Sequence, residues 1–295
     1  MDQQEKIGLV VEGGGMKCAY NAGILDAFLD NGITFDYCIG VSGGAGNLAS
    51  YLAGQRGRNL RFFTKHIHSS DYFGIKSLLK TGNLFGLQYI YGELTNSTGK
   101  DPIDFSAIQR NPTKYQVVVT NALTGKAEYF GKEAMKQDDY RLFMASSAIP
   151  AACRPVLLRG VPYFDGGLAD AIPVRHALEE GCDRLVVILS KNRDYVRKPQ
   201  NMRPLYTALC RKYPKVISAI ENRHITYNRN LQDVFSLERD GTAFVFAPSQ
   251  PIHVGTYSMR EEDERALYAL GMEDFSRLRP VLEQFLRRQE TPVRH

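Results

Sequence analysis

Nothing in the 295-residue chain approaches the eighteen or so consecutive apolar residues of a membrane-spanning helix. The polar opening Met1-Asp2-Gln3-Gln4-Glu5-Lys6 runs straight into a β-prone stretch, so no signal peptide is expected. Cysteine is scarce: Cys18, Cys38, Cys153, Cys182 and Cys210 are odd in number and scattered without paired spacing. That excludes a disulfide framework and a zinc site, and predicts free thiols in a reducing, cytoplasmic setting. Neither N-terminal glycine loop has the lysine–serine/threonine ending of a phosphate-binding P-loop, and Gly125-Lys126 to Gly131-Lys132-Glu133 has the wrong spacing and no hydroxyl. Gly40 to Gly46 is not spaced as a dinucleotide fingerprint. Charge of one sign is also short: a net +5 is too mild and diffuse to call for nucleic acid, though it tolerates an anionic surface. There is no internal repeat and no low-complexity tract.

What remains is a globular composition, 43% hydrophobic and 23% charged, with room for one large α/β domain or a domain plus an appendage. The chain is organised around Asp36 to Leu48, a short apolar run, a turn carrying one serine, and a helix start of very small residues. Gly40-Val41-Ser42-Gly43-Gly44 fits the nucleophile-elbow pattern, in which a strained serine needs small neighbours two positions either side. A glycine-rich turn with an incidental serine is the plainer reading. Upstream, Ile7 to Val11 reads as a strand buried on both faces, followed by Glu12-Gly13-Gly14-Gly15-Met16-Lys17 and then by helical spacing from Ala19 to Leu29. Two successive strand–glycine loop–helix units predict a parallel sheet with its working loops at the carboxyl edge.

Further along, Tyr115 to Thr120 reads as a buried strand with Lys126 to Phe130 as hairpin partner. Tyr140 to Ser147 reads as a helix closed by Pro150, and Val156 to Phe164 as a hairpin leading into Asp165-Gly166-Gly167. Pro173 suits the first position of a helix reaching Glu180, and Arg184 to Leu189 is a further parallel strand. Between Asn59 and Gln109 the aromatics Phe62, Phe63, Tyr72, Phe73, Phe85, Tyr89 and Tyr91 are read first as core packing beneath a long connection. From Lys191 to Arg229 basic residues outnumber acids and tyrosines are interleaved; a solvated helical face comes first, contact with anionic head groups second. Thr242 to Ala247 is a last strand, and Glu261 to Arg288 is expected as helices interrupted near Gly271 and Pro280.

A serine hydroxyl reacts only when a base takes its proton and donors stabilise the oxyanion. Gly13-Gly14-Gly15 can offer backbone N–H groups without a Cβ in the way, and would equally suit a nucleotide phosphate. For the base, a triad needs a histidine, and His176 and His253 are the candidates, though neither sits in a recognisable loop. His66, His68, His224 and His295 are read as surface residues. Asp165 sits in a glycine-bracketed loop just after a strand end, which would let a carboxylate come close to the serine; a plain turn is the alternative.

Taken together, these sites resemble the patatin-like phospholipase family of serine lipid acyl hydrolases. The resemblance covers about the first 190 residues and rests on Gly13-Gly14-Gly15-Met16-Lys17, the stretch Ala19 to Leu25, the elbow Gly40 to Gly44, Ala145-Ser146-Ser147-Ala148-Ile149-Pro150, and Asp165-Gly166-Gly167. Cys18 stands where the family usually has glycine, and Lys17 where arginine is commoner. The resemblance implies an α/β three-layer sandwich, a mostly parallel central sheet flanked by helices. Residues 1–190 would be the catalytic core, and 191–295 a mainly helical region with one returning strand, packed on it. It further implies a Ser42–Asp165 dyad without histidine, and an oxyanion hole from Gly13, Gly14, Gly15 and Met16. Lys17 and Gly43 would face substrate, and neither metal nor cofactor is needed. The substrate would be a fatty-acyl ester of a phospholipid or lysophospholipid, with the aromatic segment as lining for an acyl-chain pocket. The basic region 191–229 would then offer peripheral contact at the inner membrane surface. A Ser–His–Asp esterase and a non-catalytic lipid- or phosphate-binding protein are the competing readings.

Overall fold

The computed structural model describes residues 5–252, 254–255 and 258–287. The apolar run Ile7–Val11 is strand β1, buried at every position because helices cover both faces of the sheet. After it come α1 (Cys18–Asp30), β2 (Tyr37–Val41), α2 (Gly43–Leu52), α3 (Arg58–Phe63), α4 (Ile75–Thr81), α5 (Phe105–Arg110), β3 (Lys114–Asn121) and β4 (Ala127–Gly131). The chain continues through α6 (Arg141–Ser146), β5 (Val156–Leu158), β6 (Val161–Asp165), α7 (Val174–Glu179) and β7 (Arg184–Ile188). It ends with α8 (Arg203–Leu209), α9 (Pro214–Arg239), β8 (Ala243–Phe246) and α10 (Glu261–Leu286).

The strands form one sheet in the order β5-β6-β3-β2-β1-β7-β8, with β4 also on β3. Five neighbours from β3 to β8 are parallel; β4 and β6 run antiparallel to β3, and β5 to β6. Side chains divide between the faces by alternation. Ile7, Leu9 and Val11 pack with Ile24, Phe28, Leu48 and Phe275 of α1, α2 and α10. Val10, Ile39, Val41 and Val187 pack with Val174, Ala177, Leu231 and Val234 of α7 and α9. This is the expected three-layer α/β sandwich.

One feature of the register positions the site. β2 pairs with β3 only as far as Val41 opposite Val118, and β6 pairs with it from Asp165 opposite Val119. Because β4 pairs along Gln116 to Thr120, overlapping both stretches, β2 and β6 must share the other edge of β3. The carboxyl ends of β2 and β6 therefore meet head to head, and the residues that meet are Ser42 and Asp165.

Two local expectations are corrected. Gly271 and Pro280 do not interrupt the last helix, which is continuous from Glu261 to Leu286. Gly271 instead lets α10 cross α1 closely: a Cβ there would stand 2.4 Å from the Tyr20 carbonyl, and one on Gly23 2.2 Å from that of Tyr268. Pro173 occupies the cap position before α7, one residue earlier than expected. Among the described residues no helix is long and apolar enough to cross a membrane.

Candidate active site

Ser42 is the cap residue of α2 and has φ 54° and ψ −128°, a conformation that L-residues adopt only under strain. The flanking glycines make it feasible: a Cβ on Gly40 would lie 2.7 Å from Ala45 Cα, and one on Gly44 2.6 Å from the carbonyls of Val11 and Glu12. Where β2 leaves the ladder, Ser146 fills in. Its hydroxyl accepts the Ser42 N–H at 2.8 Å and donates to the Val118 carbonyl at 2.7 Å. Two backbone groups orphaned by the strand end are thereby satisfied.

Asp165 ends β6, with 4% of its surface exposed. Its backbone is fixed by its own N–H to the Ala148 carbonyl, 2.9 Å, and by the Thr120 hydroxyl to its carbonyl, 2.8 Å. The carboxylate accepts the Gly167 N–H at 2.7 Å, and the Ser42 hydroxyl nearby favours its ionised form. Burial pushes its pKa above the usual carboxylate value; the Arg223 charge, the Ser42 hydroxyl and the Gly167 N–H oppose that rise. Arg223 comes from α9 and donates to the Gly167 carbonyl at 2.9 Å, and its charge favours the ionised carboxylate. The block Ala145 to Pro150 is thereby explained: Ser146 holds the backbone of Ser42, and Ala148 that of Asp165.

Gly13, Gly14 and Gly15 lie between β1 and α1, beside the elbow: a Cβ on Gly13 would stand 2.9 Å from Ser42 Cβ. The loop is anchored through Glu12, which is fully buried. Its carboxylate accepts the Ser190 N–H at 2.7 Å, the Tyr227 hydroxyl at 2.8 Å and the Lys191 ammonium. The Ser190 hydroxyl donates to the Gly13 carbonyl at 2.9 Å. Lys17 lies over the Tyr195 ring, and its pKa is lowered first by burial and next by Lys191. Cys18 opens α1 fully buried, with its sulfur turned to the Glu12 carbonyl.

In front of Ser42 an apolar cavity opens, about 830 Å³ with its mouth included. Met16, Ser42, Gly43, Phe62, Phe63, Tyr72, Phe85 and Tyr91 line it, so the aromatic segment is lining as well as packing. Ser147 and Ile149 line it too, Ser147 sharing a 3.2 Å hydrogen bond with the Tyr91 hydroxyl.

Among the described residues no histidine is brought to this place. His176 hydrogen-bonds Gln116 at 3.0 Å and stacks on Tyr129 with ring centres 3.5 Å apart. His253 lies outside the described residues. His66, expected on the surface, is buried and bonded to Asp101 at 2.9 Å. Glu12, Ser190, Lys191, Arg223 and Tyr227 are participants that the sequence reading did not assign. Of Lys191, Arg223 and Tyr227 the basic, tyrosine-bearing stretch is the only trace, and it is not a single solvated face: Lys191 and Tyr227 are buried.

Residues 9–178 match the model of the family described as Patatin-like phospholipase, and residues 213–287 that of a domain of unknown function (DUF6363). The chain is 29% identical over 286 residues to the uncharacterized protein YjjU of Escherichia coli, covering 91% of this chain and 76% of that one. Its fold is similar to human GIVD cytosolic phospholipase A2, solved with methyl gamma-linolenyl fluorophosphonate, at a TM-score of 0.57 and 12% identity, spanning 97% of this chain and 59% of that one. VipD from Legionella pneumophila aligns at a TM-score of 0.48 and 16% identity over 95% of this chain and 68% of its own. With the family model covering more than half of its length, and the sheet and helices arranged as that fold requires, the chain belongs to the patatin-like phospholipase family.

Proposed function

We propose that the protein is a serine acyl hydrolase that cleaves fatty-acyl esters of phospholipids or lysophospholipids, with Ser42 as nucleophile and Asp165 as base. The observation that carries this is the meeting of two strand ends that sets a strained serine against a buried carboxylate, beside an apolar cavity and a glycine loop. Asp165 takes the hydroxyl proton as Ser42 Oγ attacks the ester carbonyl. The N–H groups of Gly14, Gly15 and Met16 receive the oxyanion, with Gly13 setting the turn. Asp165 returns the proton to the leaving alcohol, and then activates a water that releases the acyl group from Ser42. The acyl chain occupies the aromatic-lined cavity, and Lys17 and Gly43 flank the reacting ester.

Because Asp165 must be ionised to accept a proton, activity falls as pH drops through its pKa, and burial places that fall above the ordinary carboxylate range. In this reading residues 1–190 are the catalytic core, and the region beyond supplies the supports Lys191, Arg223 and Tyr227. Peripheral membrane contact is supported by two short helices. α4 exposes Ile75 (74%) and Leu79 (82%) beside Lys76 and Lys80, and α8 exposes Leu205 and Leu209 beside Arg203 and Arg211. Both adjoin the loop of Ile149 to Arg154 that helps to line the cavity: Leu84 bonds Ala152, and Tyr206 and Cys210 share a packed cluster with Ile149 and Ala151.

A fluorophosphonate probe tests the chemistry. Labelling of the wild type at Ser42, lost in Asp165→Asn and retained in His176→Ala, is the expected result. Absence of labelling in the wild type would point to a binding protein, and labelling that survives Asp165→Asn but not a histidine variant would point to a triad.

A further inference from the structure

The cavity that begins at Ser42 ends on a charge. One wall is α2, through Ser42, Gly43, Gly46, Asn47 and Ala49. The next residue, Ser50, accepts a hydrogen bond from Arg58 Nη1 at 3.0 Å. From Ser42 to Ser50 is eight residues, about 12 Å along the axis at a rise of ~1.5 Å per residue. Arg58 lines the cavity at that end with 4% exposure, and so does Thr95, whose hydroxyl accepts from Arg58 Nη2 at 3.1 Å. Nη2 also donates to the Asp101 carbonyl at 2.8 Å.

A guanidinium has five N–H donors in a fixed fork, and these contacts use three. Nε has no hydrogen-bond partner; its approach to Asp101 Oδ1, at 3.7 Å, is an ion pair beyond hydrogen-bonding range. The Asp101 carboxylate is already committed to Arg61, two bonds of 2.7 Å, and to His66. Two guanidiniums thus share one carboxylate, and the inner end of an otherwise apolar cavity carries surplus positive charge. Burial pulls the Arg58 pKa down to about 10, which leaves it charged at neutral pH. A plain alkyl end resting there would bury those donors unpaired, which is costly, whereas an oxygen acceptor would complete them.

We infer that Arg58 is a specificity-determining residue, and that the cavity takes a medium-length acyl chain carrying an oxygen acceptor, best a carboxylate, at the end remote from the scissile ester. This rests on the reading of the cavity as the acyl site. A carboxylate would accept from the unused donors of the guanidinium and balance the surplus charge, and a hydroxyl would do only the first.

The test compares p-nitrophenyl esters of one medium chain length ending in methyl, hydroxyl or carboxylate. For the wild type, kcat/KM is expected to rise in that order, with the carboxylate favoured over the methyl by about tenfold or more. Arg58→Gln should erase the ranking, while Arg58→Lys should keep part of the carboxylate preference. Equal or reversed ranking in the wild type overturns the inference whether or not the variants fold. If the wild type cleaves no ester, the acyl-hydrolase reading fails by itself. Arg58 is then judged by calorimetric binding of the monomethyl ester of a medium-chain dicarboxylic acid against that of the matching monocarboxylic acid. Tighter binding of the former supports the inference; equal, weaker or absent binding overturns it.

Discussion

Two buried carboxylates, one beside Ser42 and one beside Arg58, back the same cavity without lining it and are treated in opposite ways. Asp165 and Asp101 are 4% and 5% exposed. At Asp165 burial wins: the pKa lies above the usual value although the charges of Arg223 and Arg197, the Ser42 hydroxyl and the Gly167 N–H all oppose the rise. At Asp101 burial pushes the same way but loses to hydrogen bonds from Arg61 and His66 and to the Arg58 charge, which together hold the carboxyl far below the usual range. A carboxylate saturated with cations is fixed in structure and has little affinity for a proton. One in which burial outweighs its partners holds a proton more readily than an ordinary carboxylate, which suits a general base.

The sharpest way to break this contrast is at the mouth. Ser42→Ala and Asp165→Asn should each lower kcat by about three to four orders of magnitude, the scale seen when a nucleophile or its base is removed. Circular dichroism should show the fold unchanged, and near-normal turnover in either variant would end the dyad assignment. At the inner end, Asp101→Asn should act on stability: it leaves the buried Arg58 guanidinium without its counter-ion, and stripping a buried charge of its partner costs about 3–5 kcal/mol in urea titration. The sign follows from the depressed pKa. Asp101 contributes stability above its unfolded pKa, about 3.9, and that contribution is lost as pH falls below it.

A smaller effect sharpens the comparison from the side of the neighbour. Arg223→Gln removes the charge that restrains Asp165, so the acid limb of kcat/KM should move to higher pH by roughly one unit. An unmoved limb would mean that Arg223 only supports the Gly167 turn. Smallest is Glu264 of α10, fully buried with neither oxygen hydrogen-bonded and raised to about 9 by burial. With its folded pKa above the unfolded one, its contribution is present at low pH and lost as pH rises to about 9. Glu264→Gln should therefore flatten the decline and raise Tm at pH 8 by a few degrees, on the order of 4 °C per kcal/mol or less for a chain of this size.

The sequence was legible where the physical requirement is local. Ser42 needs small neighbours at Gly40 and Gly44 whatever surrounds it, and a strand buried on both faces must be apolar at every position, as in Ile7 to Val11. The same holds for the glycines that let a backbone approach closely, although Gly271 shows the limit: its service to the α1–α10 crossing looked like a helix break. His66 was taken for a surface residue because its partner, Asp101, is distant in the chain. The polar set behind Glu12 and Asp165 is illegible for the same reason, since Lys191, Arg223 and Tyr227 take their meaning from Glu12 and Gly167, which only folding brings near.

By itself, then, the sequence determined the alternation of strands and helices, the elbow and the glycine loop, because each is specified by residues within one turn of one another. Only the tertiary structure decided that β2 and β6 end against each other on one edge of β3, which carboxylate is ringed by cations, and that the aromatic segment encloses a cavity lined at one end by Arg58. Those outcomes depend on distances between segments up to some two hundred residues apart, and no local pattern encodes them.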